Sequence, residues 1–280
     1  MAIMSSKFLR ALDAKIAPQL SGSADDNDFM SKHELNCDMG EAFGPWKMGP
    51  DEELMPMIDS ANIACGGHAG DPHTMLKTIR LAKKHGVRIG AHPGLPDLLG
   101  FGRRRWALLP DDVYTLILYQ VGALQGIAQA EGVQVSYIKP HGELYFYIER
   151  ETEIMEAALK AAKALDLPVM GGKSKRYMET AHKFGVPFIQ EAYPDLNYTP
   201  YGALVKPPPE PKFKKTPQII QDFVLRAGEA DQAIDTEGDI IELGFNGANI
   251  TFCLHSDIPG VIDNARAARV ALDKLNATRA

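Results

Sequence analysis

The stretch from Asn62 to Arg104 constrains the chain most, because one event occurs in it twice: a short apolar run ends in a glycine-containing turn that carries a histidine. Ser60 to Cys65 is small and apolar and leads into Gly66-Gly67-His68. Asp71-Pro72 then supplies a helix N-cap followed by proline at the first helical position, where its missing N–H costs nothing. Met75, Leu76, Ile79 and Ala82 fall on one helical face, and Gly86 stands where a left-handed C-terminal cap is wanted, so a helix is expected over Pro72 to His85. Val87 to Ala91 reads as the next buried strand, with His92 directly after it. A right-handed strand-helix-strand crossover makes the two strands parallel. His68 and His92 then both follow carboxyl ends, the edge at which α/β proteins build their sites.

The same rhythm extends through the rest of the chain. Strands are expected at Glu34 to Asp38, Ser60 to Cys65, Val87 to Ala91, Val135 to Lys139, Leu167 to Met170, Pro187 to Glu191 and Ala248 to Leu254. Helices are expected near Asp51 to Ile58, Pro72 to His85, Pro110 to Glu131, Thr152 to Leu165, Ser174 to Phe184, Thr216 to Ala227 and Pro259 to Leu275. Strands that alternate with helices without a break in composition argue for a (β/α) barrel or a doubly wound sheet, and the barrel is the expectation taken here. Residues 34–280 form this domain, and residues 1–33 an appended, mostly disordered arm whose Ser21 to Asp28 tract is polar and acidic. Two segments interrupt the rhythm. Tyr193 to Lys215 carries six prolines without a periodic stripe, and Gly228 to Gly247 has room for a small hairpin.

Composition narrows the partners. A net charge of -6 argues against a nucleic-acid or anionic-membrane surface, and no apolar run reaches membrane-spanning length. The three cysteines, Cys37, Cys65 and Cys253, are odd in number and far apart, which argues against a disulfide framework and for a reducing compartment. A cytoplasmic protein is expected. Lys7, Arg10 and Lys15 faintly resemble a mitochondrial presequence, but Asp13 and the acidic tract count against it.

Acid-base groups gather after the expected strands. The first strand runs into Asn36-Cys37-Asp38-Met39-Gly40-Glu41, the second delivers His68 and Asp71, and the third His92 and Asp97. The fourth delivers Lys139, His141 and Glu143, and the last His255 and Asp257. Asp71 is better explained as a helix cap, and Glu41 serves equally well as a solvated loop charge. Four histidines after strand ends are hard to ascribe to chance. Asp38, His68 and His92 have the ligand types for a divalent metal, and the same residues suit a metal-free site that binds a polar substrate and moves protons. Lys139 beside His141 is placed to stabilise an oxyanion; Arg103 and Arg104 are either anion clamps or surface charges. Gly172-Lys173-Ser174 imitates the end of a phosphate-binding loop, but Leu167 stands where that loop needs its first glycine, so a nucleotide P-loop is not expected. Cys65 reads as a buried strand thiol in preference to a nucleophile.

Five motifs together closely resemble the LamB/YcsF family: Leu35-Asn36-Cys37-Asp38-Met39-Gly40-Glu41, Asn62 to Pro72, Gly90 to Arg104, Lys139-Pro140-His141-Gly142 and His255-Ser256-Asp257-Ile258-Pro259-Gly260. They run in order through about residues 34 to 275. The resemblance implies a seven-stranded (β/α) barrel similar to polysaccharide deacetylases. It also implies a hydrolase that forms one component of the ATP-hydrolysing 5-oxoprolinase, its A-subunit, opening a lactam to glutamate with ATP and partner subunits. On that basis Asp38, His68, His92, Lys139 and His141 are the expected catalytic residues. Glu41, Asp97, Arg103, Arg104, Glu143, His255 and Asp257 are expected to bind substrate, and Asp38, His68 and His92 to hold any divalent metal. A stand-alone metal-dependent deacetylase or amidohydrolase, and a non-catalytic binding protein on the same barrel, are the competing readings, and a homo-oligomer is open. The chain departs from the family pattern at Gly67, Glu143 and Ser256, and it lacks an arginine in the segment Asp195-Leu196-Asn197-Tyr198.

Overall fold

A computed structural model describes residues 30–172, 174–205 and 215–279. Its centre is a closed barrel of seven parallel strands. They are β1 (Glu34–Met39), β2 (Ser60–Ala64), β3 (Arg88–His92), β4 (Val135–Ile138), β5 (Val169–Gly171), β6 (Phe188–Ala192) and β9 (Thr251–Leu254). β9 closes the ring by pairing with both β1 and β6. The expected barrel is therefore present, and the expected hairpin forms outside it as antiparallel β7 (Gln232–Ile234) and β8 (Ile240–Glu242).

The surrounding helices are α1 (Asp51–Leu54), α2 (Pro72–His85), α3 (Pro110–Ala130), α4 (Gly142–Arg150), α5 (Thr152–Ala164), α6 (Lys175–Phe184), α7 (Pro217–Ala230) and α8 (Val261–Arg279). Local chemistry sets their ends. The Asp71 carboxylate accepts from the His73 and Thr74 amides, and Gly86 takes the left-handed conformation that ends α2 (φ 68°). The helix expected over Asp51 to Ile58 stops at Leu54 and continues as a 3-10 turn over Met55–Met57, because Pro56 has no N–H to donate into an α-helical ladder. Ser174 caps α6 by accepting from the Tyr177 amide, which accounts for its place in the glycine-lysine-serine turn. Lys173, like residues 1–29 of the arm, lies outside the described residues.

Residues alternate between the two faces of the barrel wall. Leu35, Cys37 and Met39 of β1 point outward into the main hydrophobic core between strands and helices. The interior is different. Tyr137, Met170 and Ile189 plug one level of it, and Met30, from the segment assigned to the arm, packs with them. Tyr137 fits because Gly90 faces it from β3; a Cβ at Gly90 would sit 2.1 Å from the ring. Above the plug lies a polar layer. Asn36 donates to Glu191 Oε1 (2.9 Å) and Thr251 Oγ1 (2.8 Å), Asn62 donates to Asn36 Oδ1 (2.7 Å), and Tyr137 donates to Asn62 Oδ1 (2.7 Å). This connected layer satisfies buried amides that would otherwise cost about 1–3 kcal/mol each, and it is the floor on which the rim groups stand. Among the described residues no helix is long and apolar enough to cross a membrane.

Candidate active site

Asp38, the last inward-facing residue of β1, is 2 % exposed and shared by several cations. Its Oδ1 accepts from Lys139 Nζ at 3.0 Å and from Asn62 Nδ2 at 2.9 Å, while Oδ2 lies 3.4 Å from His92 Nε2 and 3.8 Å from His255 Nε2. Burial works against the charged carboxylate, but the charges of His92, Lys139 and His255 outweigh it and hold Asp38 well below the usual carboxylate range. Lys139 also meets Glu191 Oε1 at 3.1 Å and donates to Cys253 Sγ at 2.7 Å. Burial opposes its charge too, yet the carboxylates of Asp38 and Glu191 keep its ammonium protonated well above the ordinary range.

The second group is a wall of imidazoles. His68 and His141 stack face to face, with centroids 3.5 Å apart and planes 3° from parallel, and His92 stands edge-on to both. Phe101, in the left-handed region at φ 51°, packs its ring edge against the pair. Glu41 reaches His68 Nε2 with Oε1 at 3.1 Å and accepts from Ser256 Oγ with Oε2 at 3.2 Å. Burial, with the Asp38 and Asp257 charges, pushes Glu41 well above the usual carboxylate range. Burial and the neighbouring ring charges push His68 and His141 well below the ordinary histidine value.

The third group joins two distant segments. Asp195, in the proline-rich loop, accepts from the His255 backbone amide at 2.7 Å and faces its Nδ1 at 3.0 Å. Burial alone would lower the pKa of His255, but Asp195 overrides it and raises it to about 9. His255 is thus an imidazolium at neutral pH, with Nε2 directed at Asp38.

One pocket collects most of these groups. Asp38, His92, Lys139, His141 and His255 line it together with Arg103 and Glu143, and Tyr145, Phe146, Tyr193, Leu196 and Leu204 form an apolar wall. Arg103 pairs with Asp257 Oδ2 at 2.9 Å and covers the Phe101 ring, so Asp257 acts at the rim through that arginine. Glu143, 2 % exposed, accepts from Arg150 Nη1 at 3.0 Å.

Two expectations meet a different arrangement in the structure. Asp97 and Arg104 do not line the pocket. Asp97 accepts from the Gly100 amide and from Arg104 Nε (2.8 Å), a local clasp that shapes the turn Leu98–Gly100. The expected metal ligands Asp38, His68 and His92 are also regrouped. Among the described residues, the donor atoms within 4.8 Å of one another belong to Glu41, His68, His92 and His141, while Asp38 gathers with Cys253 and His255. Asp38 Oδ1 is already committed to Lys139 and Asn62, while its Oδ2 faces His92 Nε2 at 3.4 Å. Asp195, Glu191, Cys253 and Tyr193 were not foreseen. Among them Glu191, an acid at the end of an expected strand, and Asp195, an acid in a long non-periodic loop, had a sequence signal.

Comparison with known proteins identifies this constellation's relatives. The model of the LamB/YcsF family matches residues 33–280. The lactam utilization protein lamB of Emericella nidulans is 39% identical over 242 residues, covering 86% of this chain and 94% of that protein. The 5-oxoprolinase A-subunit of Vibrio cholerae is 41% identical over 250 residues, covering 88% and 100%. The crystal structure of the lactam utilization protein from Thermus thermophilus superposes with a TM-score of 0.79 at 39% identity, over 87% of this chain and 96% of that one. A putative cellobiose-phosphate cleavage protein from Enterococcus faecalis, at 14% identity and a TM-score of 0.54, shares the fold alone. The chain belongs to the LamB/YcsF family.

Proposed function

We propose that this protein is the hydrolytic component of an ATP-dependent lactam hydrolase, opening 5-oxoproline to glutamate together with partner subunits. The observation that carries the reading is the meeting, in one pocket, of a carboxylate held ionised (Asp38) and an imidazolium backed by a carboxylate (His255 on Asp195). The family relatives named as 5-oxoprolinase A-subunits supply the substrate and the dependence on other subunits.

Opening an unstrained lactam needs an activated carbonyl, a deprotonated water and a protonated leaving nitrogen. Carbonyl activation by ATP is assigned to the partner subunits, since the glycine-lysine-serine turn here begins a capped helix and lacks the leading glycine of a P-loop. Asp38 takes the proton from the attacking water. His255 gives a proton to the nitrogen as the C–N bond breaks, which moves this residue from substrate binding to general acid. Lys139 holds Asp38 ionised from below and offers positive charge to the oxyanion. Arg103 at the mouth suits the carboxylate of 5-oxoproline, and the wall of Tyr145, Phe146, Tyr193 and Leu196 suits its ring.

The pH profile of glutamate formation in the complete, ATP-supplied system tests these roles. A His255 raised to about 9 is protonated below that value, so kcat/KM falls as pH rises through it. Asp195→Asn removes the charge that raises it, and the alkaline limb should move to lower pH by about 1–3 units. An alkaline limb that stays in place would remove His255 and Asp195 from the proton transfer.

A further inference from the structure

The bonding of the imidazole wall leaves two lone pairs facing one another. His92 Nδ1 lies 2.6 Å from the Lys139 carbonyl oxygen, and His141 Nε2 lies 2.8 Å from that of Phe101. A carbonyl only accepts, so both nitrogens carry the ring hydrogen. In neutral rings the other two nitrogens, His92 Nε2 and His141 Nδ1, are then bare, and they stand 3.1 Å apart in a buried site. A proton shared between them or a metal ion beside both makes that separation favourable, and the nearby His68 and Glu41 atoms supply the further donors an ion needs. Glu41 Oε1 is 3.7 Å from His141 Nδ1 and 3.1 Å from His68 Nε2, and His68 Nδ1 is buried with no hydrogen-bond partner.

We propose that Glu41, His68, His92 and His141 form a binding site for one divalent transition-metal ion. Zinc bonds of about 2.1 Å in a tetrahedron put neighbouring ligand atoms roughly 3.4 Å apart, and the 3.1, 3.1 and 3.7 Å separations found here straddle that edge; binding requires His68 or His141 to turn out of their parallel stack so that both lone pairs reach one ion. The carbonyls of Lys139 and Phe101 and the hydroxyl of Ser256 are the outer partners such ligands use to fix tautomer and orientation. Three imidazoles and a carboxylate favour zinc, iron, cobalt, nickel or copper over calcium or magnesium. Bound there, such an ion would supply Lewis-acid chemistry next to the pocket that Asp38 and His92 line. The ion's use in hydrolysis rests on the function proposed above, but its binding does not.

Binding is therefore measured without catalysis. The full chain, stripped with a chelator, is titrated with Zn²⁺ by calorimetry, and metal bound after desalting is counted by elemental analysis. Zn²⁺ stands near the top of the affinity order, so a site built for another first-row ion would take it too. One ion per chain is expected, together with the visible absorption of low-symmetry Co²⁺ when cobalt is substituted. His141→Ala and the near-isosteric Glu41→Gln should each weaken binding by more than about 100-fold, beyond what changes to outer partners cost. The exposed His73→Ala should bind as the wild type does. Circular dichroism shows which variants are folded, and Glu41→Gln keeps the test decisive if the alanine variant is not. A folded wild-type chain that binds no Zn²⁺, or binds it unchanged in Glu41→Gln, overturns the site. Lactam hydrolysis by protein without the ion would overturn its use but not the proposed activity, and tight binding without any lactam hydrolysis would overturn the proposed activity but not the binding site.

Discussion

Asp38→Asn lowers turnover of the proposed lactam hydrolysis by about a hundred- to ten-thousand-fold, the usual worth of a positioned general base. The amide cannot take a proton from water, although it fills the same space. The fold should survive the change, because Lys139 keeps Glu191 at 3.1 Å and an asparagine oxygen still accepts from Asn62. Steady-state rates in the complete system, with circular dichroism on the same sample, check both halves. A folded variant that keeps more than about a tenth of the wild-type rate would take Asp38 out of the chemistry.

Lys139→Met is expected to act chiefly on stability. Its ammonium is buried between Asp38 and Glu191, and a methionine of similar length leaves Glu191 without its cation and Asp38 with one cation fewer. Breaking a buried ion pair from one side costs about 3–5 kcal/mol, which for a chain of this size lowers Tm by roughly 6–20 °C. The pH dependence separates this cause from loose packing. Carboxylates that have lost a cation are less costly when protonated, so the gap to the wild type should narrow as pH falls. A packing defect would leave the gap unchanged, and a Tm within a degree or two of the wild type at neutral pH would show that the ammonium is not needed there.

The parts of this molecule that announce themselves in the sequence are those set by neighbours along the chain. Asp71-Pro72 and Gly86 mark α2 because a cap bonds to amides two or three residues away. His68, His92 and His141 were recognisable as one site because parallel strands carry their following loops to one end of the barrel. The barrel interior was not readable in this way. Asn36, Asn62, Glu191 and Thr251 look like polar interruptions in apolar strands, and only the closed ring shows that they bond to each other. α4 was missed because it begins at Gly142, directly after the Lys139-Pro140-His141 turn, without an ordinary side-chain cap. Asp195 was missed for a similar reason, since it meets His255 across 60 residues from a loop without periodicity. Asp97 and Arg104 show a local pairing that the sequence did not signal. Their place after His92 made them look like substrate ligands, whereas a carboxylate seven residues before an arginine can simply close its own turn.

Ser256 and Glu143, read from the sequence as departures from the pattern of the family it resembles, each have a definite partner. Ser256 donates to Glu41, so a glycine there would leave that buried carboxylate oxygen with one partner fewer. Glu143 brings a buried acid to the pocket wall and ties it to Arg150, which alters the polarity that a substrate meets beside His141.

The central claim is that this barrel hydrolyses an activated lactam that other subunits prepare. Its most direct measurement is glutamate formed from 5-oxoproline by the purified chain combined with its partner subunits and ATP, with each component left out in turn. The account predicts glutamate only from the full mixture, and at most about a hundredth of that rate when wild-type chain is replaced by Asp38→Asn. Glutamate formed at full rate without this chain, or with Asp38→Asn in its place, would contradict it.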